Sequence, residues 1–307
     1  MFLFNPLSQI IDKGLNVKLK IFYFTLEMSK EQKMLSAFSN LLYEKEGIRI
    51  SPMDLRSTHR DRVLSPAVLE LIQKYKPYFE KIEETVEFVD SVRNPQGIYN
   101  MVRDYALSNG TLHMRTIKNK KGEDIEVEDY YEPNNPEEYV IIIIDHVSLI
   151  STEKNYDTGL PMNLNESIQR LSSNFLIKLR NRFKYIPVVI QQQAAAQESV
   201  ENKKANKLKP SLDGLGDCKL TQRDADVILG LFSPFRHEIP EYMGYDIKLF
   251  RDNIRFLEIL GGREGGGGIT SALFFDGKVN FFKELPKPDD AFKLMNVQKL
   301  LQEIRRE

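Results

Sequence analysis

Glu138-Tyr-Val-Ile-Ile-Ile-Ile-Asp-His-Val-Ser-Leu-Ile-Ser151 holds an unbroken aliphatic run, Val140 to Ile144, that ends on a carboxylate. A half-exposed strand alternates apolar and polar residues, so a continuous β-branched run implies cover on both faces, as in a parallel sheet between two helical layers. Asp145 then stands at the carboxyl edge of a central strand, the edge at which open α/β sheets bind ligands. Two readings of Asp145 stand at this point. It holds a metal ion or orients a phosphate-bound water, or it is a turn residue closing a core strand.

Outward from this strand, the pattern repeats. Lys18 to Phe24 reads as a strand running into Thr25-Leu-Glu-Met28, which puts a second acid, Glu27, at a strand end. A capping-box pattern, Ser29-Lys-Glu-Gln32, opens a helix with Met34, Leu35, Phe38, Leu41 and Leu42 on one face. Residues 1–14 read as a helix closed by Gly14. Ser51-Pro52 and Ser65-Pro66 start helices, the second with Val68, Leu71, Ile72, Tyr75 and Phe79 on one face. Val86 to Val89 is a short strand, and Asn94-Pro95 begins a helix bearing Ile98, Met101, Val102 and Tyr105. The βαβα order predicts a doubly wound, mostly parallel sheet.

Leu112 to Ile117 and Ile125 to Tyr131 flank a glycine-containing turn and predict an inserted surface hairpin near 112–131. The acidic stretch Glu123 to Glu138 reads as a solvated face. Leu164, Ile168, Leu171, Phe175, Leu179 and Phe183 give the clearest amphipathic helix of the chain. Tyr185 to Ile190 is a buried strand ending in Gln191-Gln192-Gln193, either a polar edge or a γ-phosphate sensor. The loop 201–223 carries Lys203, Lys204, Lys207, Lys209, Lys219 and Arg223 against Glu201, Asp213 and Asp217. It is suited to tracking a phosphate backbone, and equally to being a flexible solvated loop. Strands follow at 227–232, 255–260, 269–276 and 278–282, the last two around a predicted Asp276-Gly277 hairpin turn. Between them Arg263 is the one cation in the glycine-rich stretch Gly261 to Gly268. A helix over 289–306 closes the chain.

Composition narrows the function classes. At 307 residues and 41% hydrophobic content the chain buries a full core, and a formal charge of −1 gives no overall basic field. A single cysteine, Cys218, excludes an internal disulfide framework and suits a reducing cytoplasm. No apolar run approaches the roughly 20 residues of a membrane-spanning helix. His59, His113, His146 and His237 show no ligand spacing.

Thr25-Leu-Glu-Met28, Ile141 to Asp145, Pro187-Val-Val-Ile-Gln-Gln-Gln193, Asp224-Ala-Asp226 and Gly262-Arg-Glu-Gly265 occur in an order that resembles the RecA-like motor domain of DnaB-family replicative helicases, phage-type versions included. The resemblance covers about residues 15–285. It implies a RecA-like ATPase core over 1–286, incomplete at its N-terminus, and a helical tail over 287–307. It implies ATP and Mg2+ as cofactors, Glu27 as the base that orients the attacking water, Asp145 as the acid holding magnesium, Gln193 as sensor and Arg263 as a finger delivered to an adjacent subunit. A finger acting in trans implies a homohexamer around single-stranded DNA, with Lys203, Lys204, Lys207 and Lys209 facing the channel. A primase or helicase loader as further partner and a bacterial or phage-infected cytoplasm come with the same resemblance, and no membrane.

The sequence departs from that family in one large respect. It contains no G-x-x-x-x-G-K-[ST], and Gly261 stands where the family has a lysine before the finger. The expectation is therefore a motor fragment whose phosphate cradle lies on another polypeptide or upstream. The alternative is a RecA-like module without catalysis, used for DNA binding or ring assembly. A third is a recombinase-like or circadian-clock-like ATPase of the same fold.

Overall fold

A computed structural model describes residues 9–10, 12–56, 63–155, 158–194, 197, 199–204, 208–216 and 218–306. The chain divides into two compact units, Met1–Lys30 with Lys74–Gln192, and Glu31–Gln73 with Gln193–Glu307.

The first unit is built on a parallel sheet. Strands β1 (Lys18–Thr25), β2 (Val86–Val89), β5 (Glu138–Asp145) and β6 (Ile186–Val189) lie in the order β2-β1-β5-β6, all parallel. The central strand behaves as its composition demands: Val140, Ile142, Ile143 and Ile144 are each at most 2% exposed. Each such side chain contributes about 1.5–3 kcal/mol by leaving water. Cover comes from the helix Pro95–Ser108, which buries Ile98, Val102 and Ala106 at successive turns, and from the helical stretch beginning at Leu164. That stretch starts on a capping box, Asn163 with Glu166, passes through a π-helical segment Arg170–Leu176, and ends where Lys184 turns left-handed at φ 61°. Ile168, Leu171, Phe175, Leu179 and Phe183, from the predicted stripe, are all buried.

The predicted hairpin is present as β3 (Gly110–Lys118) and β4 (Asp124–Pro133), antiparallel, with Met114, Ile117, Ile125 and Tyr130 exposed. Its acidic strand is more than a solvated face. Glu128 accepts charge-assisted bonds from Lys178 at 2.9 Å, Arg103 at 3.5 Å and Arg182, while Tyr131 donates to Ala106 O at 2.9 Å. The hairpin is thus fastened at its base to two helices. Burial raises the Glu128 pKa, but Lys178, Arg182 and Arg103 outweigh it and hold the carboxyl below its ordinary range. A carboxyl lowered in the folded state stabilises fully above that ordinary range, and its contribution is lost as pH falls through the lowered value. Hairpin amide protection should therefore fall on acidification, and Glu128→Gln should remove that pH dependence while making the hairpin open more readily at neutral pH. Equal exchange in wild type and variant across the range would show that the ion cluster does not hold the hairpin.

The second unit carries an antiparallel sheet. Strands β7 (Val227–Phe232), β10 (Ile254–Gly262), β11 (Thr270–Asp276) and β12 (Phe281–Glu284) lie in the order β12-β11-β10-β7, with a small ribbon of β8 (Glu241–Tyr242) and β9 (Tyr245–Asp246). Phe232, Tyr245, Phe250, Ile254, Phe256 and Phe274 belong to its core. The closing helix Ala291–Arg306 adds Leu301 and Ile304 to that core and leaves Phe292 75% exposed.

Three local expectations are corrected or trimmed. The helix expected to run from Pro66 through Phe79 is two helices, Pro66–Lys74 and Lys76–Thr85, broken at Tyr75. Pro77 is the reason: it has no N–H to donate, and its ring clashes with the preceding turn. The turn after β11 spans residues 277–280, so β12 begins at Phe281 and not at Lys278. Here Asp276 is 1% exposed and bonded to Arg49, while Asn280 takes the positive φ of 52°, so Asp276-Gly277 does not form a two-residue turn. Of the helix expected over 1–14, residues 1–8 and 11 lie outside the described residues. At its end Gly14 has φ 57° and Leu15 N donates to Ile10 O at 3.0 Å, the bond that closes a glycine-terminated helix.

Candidate functional site at the carboxyl edge of the parallel sheet

Parallel pairing of β1 and β5 sets Thr25 opposite Asp145, so both chains leave the sheet at the same height. The next residue ties them together, with Leu26 N donating to Asp145 O at 2.9 Å. Beyond it the chain turns tightly, because the Thr25 hydroxyl donates to Met28 O. Glu27 is lifted to the exposed apex of that turn, between the buried Leu26 and the half-buried Met28.

Asp145 is half-buried, and its Oδ2 accepts a 2.5 Å bond from the Tyr23 hydroxyl. Burial pushes the Tyr23 phenol up, and the adjacent carboxylate pushes it further. Tyr23 therefore remains a proton donor throughout the neutral range and fixes the rotamer of the acid. The loop after β5 is itself pinned, since Val147 N donates to Ile190 O at 2.9 Å and Ile190 N to Ile144 O at 3.1 Å. Two predicted site acids, Glu27 and Asp145, thus share one rim of one sheet.

A further group at this rim was not foreseen from the sequence. Arg93, in the loop after β2, donates through Nη2 to Leu26 O at 2.7 Å, and its own carbonyl accepts from Ser151 N at 3.1 Å. Tyr23 carried a usable signal, as the one hydroxyl-bearing ring within the run Ile21-Phe22-Tyr23-Phe24 that precedes Thr25. Arg93 carried none beyond its place in a loop following a strand.

The other predicted residues lie in the second unit. Gln193 forms a bridge with Leu215, and its amide approaches Ser211 O at 3.5 Å. Gly214 makes room chiefly for the Gln197 side chain, since a Cβ there would lie 2.9 Å from Gln197 Cγ, and only then for that amide, 3.2 Å from Gln193 Nε2. Arg263 is engaged by groups of its own unit. Its position directly after β10 lets its guanidinium fold back, donating to Arg223 O at 3.0 Å and pairing with Asp226 at 3.5 Å, both side chains about half exposed. It lines a cavity of about 240 Å³ with Gln222, Arg223, Gly261 and Gly262.

Of the four lysines, Lys203 pairs with Glu238 at 2.5 Å and Lys209 with Glu258 at 3.2 Å. The Lys204 side chain and all of Lys207 lie outside the described residues, as does His59.

Among the described residues no group of three His, Cys, Asp or Glu could cage a metal ion. Magnesium typically takes one or two carboxylates and completes its shell with water and phosphate oxygens, so the half-buried Asp145 fits that ion. A phosphate cradle of the glycine-lysine type is not among these residues.

No family model matches the chain, and no curated protein matches it. Among solved structures, one described as an ATPase domain superposes with a TM-score of 0.60 at 18% identity, covering 92% of this chain and 79% of that one. The fold is accordingly α/β and RecA-like, with a parallel central sheet flanked by helices. Among the described residues no helix is long and apolar enough to cross a membrane.

Proposed function

We propose that the chain is the acid-bearing part of a RecA-like motor of the DnaB helicase kind, coupling ATP hydrolysis to movement along single-stranded DNA in a homo-oligomeric ring. The observation that carries this reading is the fixed pair of strand-end acids, Glu27 and Asp145, on adjacent strands of one sheet. The solved neighbour of the same fold is an ATPase domain.

Asp145, its rotamer held by Tyr23, would hold the magnesium that accompanies ATP, and that ion would supply charge neutralisation to the transferred phosphoryl group. Glu27 accepts the proton of the attacking water and aligns it with the terminal phosphate, the main demand of a reaction that needs positioning more than covalent chemistry. Gln193 is assigned the role of phosphate sensor on the resemblance alone. Arg263 serves the site of a neighbouring copy, exchanging Asp226 for a phosphate; an exposed pair such as this holds by only about 0–1 kcal/mol, so the exchange is cheap. This sequence itself holds no glycine-lysine phosphate cradle. A second reading, a RecA-like module that binds DNA or builds rings without hydrolysis, is favoured by the lack of a glycine-lysine loop. Phosphate release stimulated by single-stranded DNA supports the motor. DNA binding with no hydrolysis, even alongside the rest of its complex, supports the second reading.

Lys203, Lys204, Lys207 and Lys209 are assigned to the DNA backbone, with Lys203 and Lys209 trading Glu238 and Glu258 for phosphates. Reversing Lys203, Lys204 and Lys207 to Glu should weaken single-stranded DNA binding. It should also flatten the salt dependence of log K by about 2, given about 0.7 per phosphate contact on single strands. Anisotropy titrations across a salt series measure both, and identical affinity and slope would return the loop to solvent.

A further inference from the structure

The loops that follow β2, β1 and β5 meet at one residue that no catalytic scheme above uses. Arg93 donates to Leu26 O at 2.7 Å, and to Asp90 O at 3.4 Å, and makes no ion pair among the described residues. Its backbone is fixed from the far side by Ser151 N at 3.1 Å. The adjoining Asn94 side chain and Gln96 N both donate to Glu153 Oε2, at 3.1 and 3.2 Å, and Glu153 is paired with Arg170 at 3.3 Å. Arg93 is an exposed residue on an anchored backbone, and its guanidinium is turned onto the Leu26 carbonyl.

What it braces is the peptide just before Glu27. Leu26 is 2% exposed, its N–H is held by Asp145 O, and its carbonyl is held by Arg93. With both polar groups of that residue committed, the turn bearing Glu27 stands at one height over Asp145. We propose that Arg93 is the positioning residue for the Glu27 carboxylate, setting its height over the acid rim through the Leu26 carbonyl. A charge-assisted bond at this distance is about twice as strong as a neutral one, and a reacting group displaced by about 1 Å costs on the order of 10²-fold in rate. The inference rests on Glu27 being the base of the proposed motor, yet its structural half can be measured without turnover.

In the free chain, Arg93→Ala is expected to raise amide exchange at Leu26 about 10-fold, the loss of one hydrogen bond's restraint, while β5 amides keep their protection. In the hydrolysing complex it should lower kcat roughly 10- to 100-fold with KM for ATP unchanged. It should cost nothing further in a Glu27→Gln background, because two residues acting as one unit are not additive. Arg93→Lys, which keeps the charge but not the planar fork, should fall between. Unchanged exchange at Leu26, or a raised KM with kcat intact, overturns the positioning role. If Glu27→Gln turns over normally, the motor reading fails; if it is inactive while Arg93→Ala has normal kcat and normal Leu26 exchange, this inference alone fails.

Discussion

Glu27→Gln is expected to reduce ATP turnover by about 10²- to 10⁴-fold, the usual contribution of a positioned general base, with nucleotide and DNA affinity unchanged. The structural grounds are specific. Glu27 is exposed, and among the described residues its carboxylate makes no hydrogen bond or ion pair, so the fold does not depend on it. The turn that carries it is closed by other groups, the Thr25 hydroxyl on Met28 O and Leu26 N on Asp145 O. Glutamine keeps the size and loses the basicity, so any loss of turnover reports proton transfer and not misfolding. Thermal unfolding should coincide with that of the wild type. Steady-state hydrolysis with and without single-stranded DNA, beside nucleotide titration, gives the comparison. Turnover within about twofold of wild type, far short of a general base's contribution, would remove Glu27 from the chemistry and leave Asp145 as a structural strand terminus held by Tyr23.

The acids were readable from the sequence because their signal is local. Val140 to Ile144 declares two-sided burial by itself, and a carboxylate next to such a run has to sit at a strand end. The same holds for Lys18 to Phe24 before Glu27, for the helix Pro95–Ser108, and for the hairpin over β3 and β4. What stayed hidden depends on residues far apart in the chain. Tyr23 reaches Asp145 across 122 positions and Arg93 reaches Leu26 across 67, contacts that no periodicity encodes. Charge partners were hidden for the same reason. Glu128 looked like one of many solvated acids until Lys178, Arg182 and Arg103 met it, and the pairing of Lys203 with Glu238 and of Lys209 with Glu258 crosses stretches that no local pattern links. Pro77 is a different case, since its effect on a helix is local and the apolar face running past it outweighed a signal that was present.

Removal of Arg49 should be strongly destabilising. Its Nε and Nη2 form a two-pronged pair with Asp276 at 2.6 and 3.1 Å, and Nη1 approaches Ile304 O at 3.5 Å. The side chains are 15% and 1% exposed, so solvent does little to screen the pair. Asp276 also accepts Lys278 N at 3.0 Å, which fixes the turn from β11 into β12. Arg49→Met leaves that carboxylate buried without its cation, a loss that typically costs 3–5 kcal/mol, so about 3–5 kcal/mol is expected here. For a unit of this size the midpoint of thermal unfolding should drop by about 6–20 °C, at about 2–4 °C per kcal/mol. Arg49→Lys retains the charge and loses the fork, and should lie between wild type and Arg49→Met. Urea unfolding of the three proteins, followed by a probe in the second unit, ranks them. A shift of less than about 0.5 kcal/mol for Arg49→Met, the range of ordinary surface substitutions, would mean that water reaches Asp276 and that the turn is held by its backbone alone.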